Sequence, residues 1–186
     1  MRRCVLLAAA VLLGPGALCA ADAPASSQSD EKVLVAVAPF PSNDGGKWGR
    51  AVADAFRAKL SRWPGTAVID RFTMDDMLDS EKLTVRWDTP VARLARFADK
   101  TLGAKIFIYG DAAVAGTKGD EVTLRVRAID LRAGPVLAVD RAFQISYPTQ
   151  LRPAVEIVLN QLVGYSTINM EVPALVKITP EMEKRW

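Results

Sequence analysis

Apolar residues crowd positions 32–39 (KVLVAVAP), a near-continuous, valine-rich run of the kind shown by a strand covered on both faces. The turn-rich stretch 40–48 (FPSNDGGKW) follows. From 49 to 63 the pattern changes to a helical one. Val52, Ala55, Phe56, Leu60 and Trp63 keep a 3.6-residue spacing, while Arg50, Asp54, Arg57 and Arg62 fall on other faces, and Pro64-Gly65 ends the run. Residues 66–70 (TAVID) predict a second strand. A short helix is expected next, with Thr73 as N-cap, Asp75 and Asp76 favoured by the macrodipole, and Met74, Met77 and Leu78 as its apolar side. A longer helix has Thr89 as N-cap, Pro90 at its first position and Gly103 past its end; Val91, Leu94, Ala95, Ala98 and Leu102 form its stripe.

Strand three is predicted from 105 to 109 or slightly beyond, and 116–120 turns the chain. Residues 121–129 alternate cleanly: Val122, Leu124, Val126 and Ala128 face one way, Thr123, Arg125 and Arg127 the other. A second turn at 130–135 leads to a fifth strand over 136–145. Pro148 opens a last helix with Leu151, Val155, Val158, Leu159 and Leu162 on its apolar face. The order is β-α-β-α-α-β-β-β-α. Its front βαβ unit requires a parallel pair, and its three consecutive back strands require antiparallel pairing. The expected class is α/β (α+β): a single mixed five-stranded sheet with helices packed on it.

The start of the chain follows a different rule. Arg2 and Arg3 precede the unbroken apolar run 5–13 (VLLAAAVLL), too short to span a bilayer and suited to a signal peptide's core. Cleavage near Ala20 or Ala21 is expected, giving a periplasmic or secreted protein. A lipid anchor at Cys19 is not expected, because Leu18 and Gly16 reverse the lipobox order. The reading is a signal peptide at 1–20, a flexible linker at 21–31, one domain at 32–163 and an irregular tail at 164–186. Within that tail, Thr179-Pro180-Glu181 reads as a helix start. No later segment is long enough to be transmembrane.

Removing the leader changes the chemistry. The 24 basic residues include Arg2 and Arg3, so the mature chain carries 22 against 21 acidic ones, and a nucleic-acid partner loses its electrostatic basis. Both cysteines, Cys4 and Cys19, lie in the leader, and the chain has no histidine. Disulfides, thiol nucleophiles, histidine-dependent triads and His/Cys zinc sites are therefore excluded from the mature domain. No cofactor, metal or catalytic residue is expected.

Four features are candidate sites. Asp44-Gly45-Gly46-Lys47 sits where a phosphate loop would, but Pro41 and Trp48 occupy the positions that need Gly and Ser/Thr, which favours plain turn chemistry. Acid pairs such as Asp75-Asp76, or Asp54 with Asp70, would need to converge on a cleft to act as acid and base. Arg125 and Arg127 share a strand face, with Arg141 a candidate to join them, and could receive an anionic partner or simply be solvated. Trp48 and Trp87 precede helices, as interface anchors or as lids on the core edge.

Residues 32–162 resemble the small periplasmic domain shared by the amino-terminal part of TolB, the curli-secretion protein CsgG, the flagellar protein FlgO and the penicillin-binding-protein activator LpoB. The likeness rests on a strand ending in Val37-Ala38-Pro39-Phe40, a helix opening with Gly49 to Ala53 and reaching Leu60, and Ile69-Asp70-Arg71 with Met77 and Leu78 after it. It continues through Leu102-Gly103-Ala104-Lys105 running to Gly110, and Ile129-Asp130 before the turn at Gly134. The family's Glu after the short helix corresponds to Glu81, whereas 82–88 departs from the pattern. CsgG's membrane hairpins and TolB's propeller are both missing. The resemblance implies a non-enzymatic accessory domain docking a sheet edge or helix face against an envelope protein, and Trp48, Trp87, Arg125 and Arg127 are its candidate contact residues. The alternative is a small-molecule or glycan-binding module using the loops after strands one and two.

Overall fold

The computed structural model describes residues 32–115, 121–164 and 175–177. The elements are β1 (Val33–Val37), α1 (Lys47–Leu60), β2 (Thr66–Val68), α2 (Arg71–Ser80), α3 (Val91–Lys100), β3 (Ile106–Ala115), β4 (Glu121–Asp130), β5 (Val136–Ile145), a 3₁₀ turn (Pro148–Gln150), α4 (Leu151–Gly164) and β6 (Leu175–Lys177). The signal peptide, the linker and the 116–120 turn lie outside the described residues.

The five predicted strands form one mixed sheet in the predicted element order. β1 pairs in parallel with β2 and β3, while β3, β4 and β5 pair antiparallel. The tail adds a sixth strand. β6 runs parallel to β5 through Ala142↔Leu175 to Gln144↔Lys177, giving the spatial order β2-β1-β3-β4-β5-β6. Residues 175–177 thus depart from the irregular reading of the tail, since three residues are too few to register as an alternating pattern, and the Thr179-Pro180-Glu181 helix start lies outside the described residues.

Two cores flank the sheet. On one face α1 and α4 cover Val35, Val37, Ile108 and the inward row Val122, Leu124, Val126, Ala128, as the alternation of β4 requires. On the other, α2 and α3 cover Ala36, Ala38, Phe107, Tyr109 and Ile129. That second layer does not extend over the far half of β3, β4 and β5, where Asp111, Thr123, Arg125, Arg127, Asp140 and Ala142 are only partly covered or exposed.

Local starts differ from expectation by a few residues. α2 is capped by Asp70 rather than Thr73: the carboxylate accepts from the Thr73 backbone N–H at 3.0 Å and from its hydroxyl at 2.5 Å. The helix therefore begins earlier, its first turn holds no acid, and Asp75 instead faces Arg71 one turn back at 3.5 Å. α3 likewise starts at Val91 with Pro90 as its cap, the Thr89 hydroxyl accepting from the Arg86 N–H instead. Hydrogen bonds from Thr73 hold the Asp70 carboxyl below its ordinary 3.8. A depressed carboxylate stabilises the fold above its unfolded pKa and loses that contribution as pH falls through the folded value. Thermal melts of the wild type should therefore hardly change from pH 7 to 5 on this account and fall only in stronger acid. Asp70→Ala should lower Tm at pH 7 and narrow its gap to wild type at pH 2.5. A gap that widened in acid would refute the assignment.

Candidate functional site

The segment joining α2 to α3 is built by inward-outward alternation. Lys82 adopts φ 48°, so that the Leu83 N–H can return to the Leu78 carbonyl at 2.9 Å and close the end of α2. Leu83 and Val85 then enter the second core while Thr84 and Arg86 stay outside. The next inward position is Trp87, and it lands on the sheet where the helices stop.

There Trp87 meets β4. The Arg127 guanidinium lies 3.9 Å from the indole centroid and that of Arg125 lies 4.9 Å away. Arg127 also donates to the Trp87 carbonyl at 3.0 Å and to Asp140 at 3.0 and 3.1 Å, while Arg125 Nε donates to Asp111 at 2.7 Å and its Nη2 completes a two-point pair. That hydrogen-bonded partner holds the Arg125 guanidinium above its already high range. Beneath them Tyr109 is fully buried with no acceptor for its hydroxyl, and burial pushes its pKa up. A hollow of about 500 Å³ opens beside the cluster, bounded by Pro41, Arg86, Trp87, Asp88, Asp111 and Arg125.

Three of the four sequence candidates, Trp87, Arg125 and Arg127, thus converge. Trp48 does not: it lies half-buried at the start of α1, against the core on the opposite face of the sheet. Arg141 does not join the pair either. It stands opposite Val126, so strand alternation points it to the other face, and Asp140 occupies the place beside Arg127. Sequence reading missed both carboxylates. Asp140 becomes legible only with the β4–β5 register, but Asp111 continues the period Phe107, Tyr109, Asp111 past Gly110, where the strand was read to end.

The turn before α1 shows why it is not a phosphate loop. The Asp44 carboxylate accepts from the Trp48 N–H at 3.0 Å and from the Ser42 hydroxyl at 2.6 Å, and Ser42 Oγ accepts from the Gly49 N–H at 3.2 Å. The chain's own acid fills the anion seat at this helix end. The crevice between β1 and β3, where the connections diverge to opposite faces, is also filled. Ser42 bridges to Ala112, Ala112 N–H donates to Pro41 at 2.9 Å, and the buried Phe40 ring packs under Gly110 and on Phe56. Of the acids, Asp54 pairs with Arg57 at 3.2 Å, Asp75 faces Arg71 and Asp70 caps α2. Among the described residues no group of three or more metal-binding side chains is assembled, and no helix is long and apolar enough to cross a membrane.

No family model matches the chain, and no curated protein matches it. Among solved structures, it is similar to the LpoB C-terminal domain from Salmonella enterica at 10% identity and a TM-score of 0.44, over 65% of this chain and 87% of that one. It is similar to lipoprotein GNA1162 from Neisseria meningitidis at 17% identity and a TM-score of 0.46, over 70% and 96%. It is also similar to protein CT253 from Chlamydia trachomatis at 10% identity and a TM-score of 0.46, over 74% and 99%.

Proposed function

We propose that this chain is an exported, non-enzymatic docking domain of the bacterial envelope that holds a partner protein on the open half of its sheet. The observation that carries this is the placement of Trp87 on a part of the sheet that no described helix covers, clamped by Arg125 and Arg127. Both guanidiniums already have carboxylate partners, so the surface offers a stiff, amphipathic contact rather than free charge. A small ion or a polyanion gains little from such a surface. A protein gains by burying the ring and the flat guanidinium planes, which lose little side-chain freedom on contact. The alternative, a glycan or small molecule behind strands one and two, has weaker support. Phe40 fills the main crevice, and the cavity left beside it is about 160 Å³, too small for a glycan, while the 500 Å³ hollow at Pro41 opens onto the docking face itself.

A photoreactive residue at Thr123, on the same face, tests the reading in cells. A discrete adduct is expected from the envelope fraction. With the captured protein purified, Trp87→Ala should weaken binding about thirtyfold, as expected for loss of an interface anchor worth about 2 kcal/mol. Equal affinity in a Trp87→Ala variant that still melts like wild type would refute the site.

A further inference from the structure

A second cluster of cations lies away from the docking face, between α1 and α2 at β1's carboxyl end. Arg50 and Arg57 project from α1 and Arg71 from the first turn of α2, and together they line the 160 Å³ cavity beside Phe40. Two carboxylates, Asp54 and Asp75, share that lining, leaving an excess of positive charge. The three guanidiniums are not equally occupied. Arg57 donates to the Val37 carbonyl at 2.7 Å and to Asp54 at 3.2 Å, but its Nε is shut off from solvent with no acceptor among the described residues. Arg71 has only the 3.5 Å approach of Asp75, and Arg50 has no carboxylate partner among the described residues.

Burial without full pairing is costly for a guanidinium, which cannot shed its proton to escape the cost. Desolvation accordingly pulls Arg57 below its ordinary range. The neighbouring α1 terminus does not supply the counter-charge, since Asp44 and Ser42 already occupy its N–H groups.

We propose that this cavity binds a small tetrahedral oxyanion of the phosphate class, either free or as the phosphoryl group of a larger ligand held at its mouth. Arg50 and Arg71 would grip it from the two helices, with Arg57 as the buried floor. The volume admits a phosphoryl group but not a whole nucleotide, and forked guanidiniums match phosphate oxygens in two-point contacts. The site is independent of the docking face around Trp87.

The test uses the mature protein at constant ionic strength. Inorganic phosphate should raise Tm saturably over equimolar chloride, and Arg50→Gln with Arg71→Gln, both exposed positions, should weaken apparent affinity tenfold or more while leaving the phosphate-free melt near wild type. Phosphatidylglycerol vesicles, against phosphatidylcholine, form the second arm. Binding to these vesicles alone, lost in the same variant, would assign the ligand as a lipid headgroup. No saturable response in either arm, or one retained by the double variant, would overturn the proposal. Trp87→Ala should leave both arms unchanged.

Discussion

Gly110→Ala should leave little or no folded protein. A methyl at this position would come within 1.9 Å of the Arg125 carbonyl oxygen on β4 and 2.6 Å of the Phe40 ring. The first contact is with backbone in the middle of a sheet, so no rotamer change relieves it and β3 and β4 must separate. The expected loss exceeds about 4 kcal/mol, a large share of the roughly 5–15 kcal/mol available to a domain. Soluble yield and urea melts measure it. Gly103→Ala is the control. Its φ of +64° disfavours a side chain, but the space around it is open, so it should cost only about 1–2 kcal/mol. If Gly110→Ala melted like that control, the close approach of β3 to Phe40 and β4 would be wrong.

Phe40→Ala is the second large effect, an expected loss of about 3–5 kcal/mol by urea melts. The ring is 3% exposed, stacks on Phe56 with centroids 5.9 Å apart, and occupies the crevice between the ends of β1 and β3. Its carbonyl is equally constrained, since a methyl on Gly49 would sit 1.8 Å from it. Removing the ring should not rescue Gly110→Ala, because the Arg125 carbonyl remains in the way. A double variant more stable than Gly110→Ala alone would show that the ring, not the strand, is the obstacle.

These contacts explain which parts of the fold were legible in the sequence. β4 was read to within a residue because one face is wholly buried, and a period-2 pattern records that directly. The predicted β3 stops at Tyr109 or slightly beyond, because apolar alternation fades from Gly110 onward. In the structure Gly110 is an interior position kept free of a side chain by its neighbours, and the strand runs on to Ala115. Helix starts slipped where two cap-forming residues competed: Asp70 and Thr73 are both good caps, and only the return of β2 into the sheet at Val68 decides between them. The site was half legible. Residue type singled out Trp87, Arg125 and Arg127, but nothing local says that Leu83 and Val85 anchor the intervening loop so that the indole meets the arginines. Register decided the rest, seating Asp140 beside Arg127 and sending Arg141 to the far side. In the Arg50, Arg57 and Arg71 cavity, the seven-residue spacing puts Arg50 and Arg57 on one face of α1, but nothing local brings Arg71 of α2 to them, and all three look like ordinary solvated positions.

The pairing of β6 with β5 has a consequence for the sheet's outer margin. Without residues 175–177, the main-chain groups of Ala142 to Gln144 that they engage would lose their partner, and a ten-residue strand would end the sheet as an unguarded selvedge. By covering these three positions with a strand too short to template further pairing, β6 hems that part of the margin.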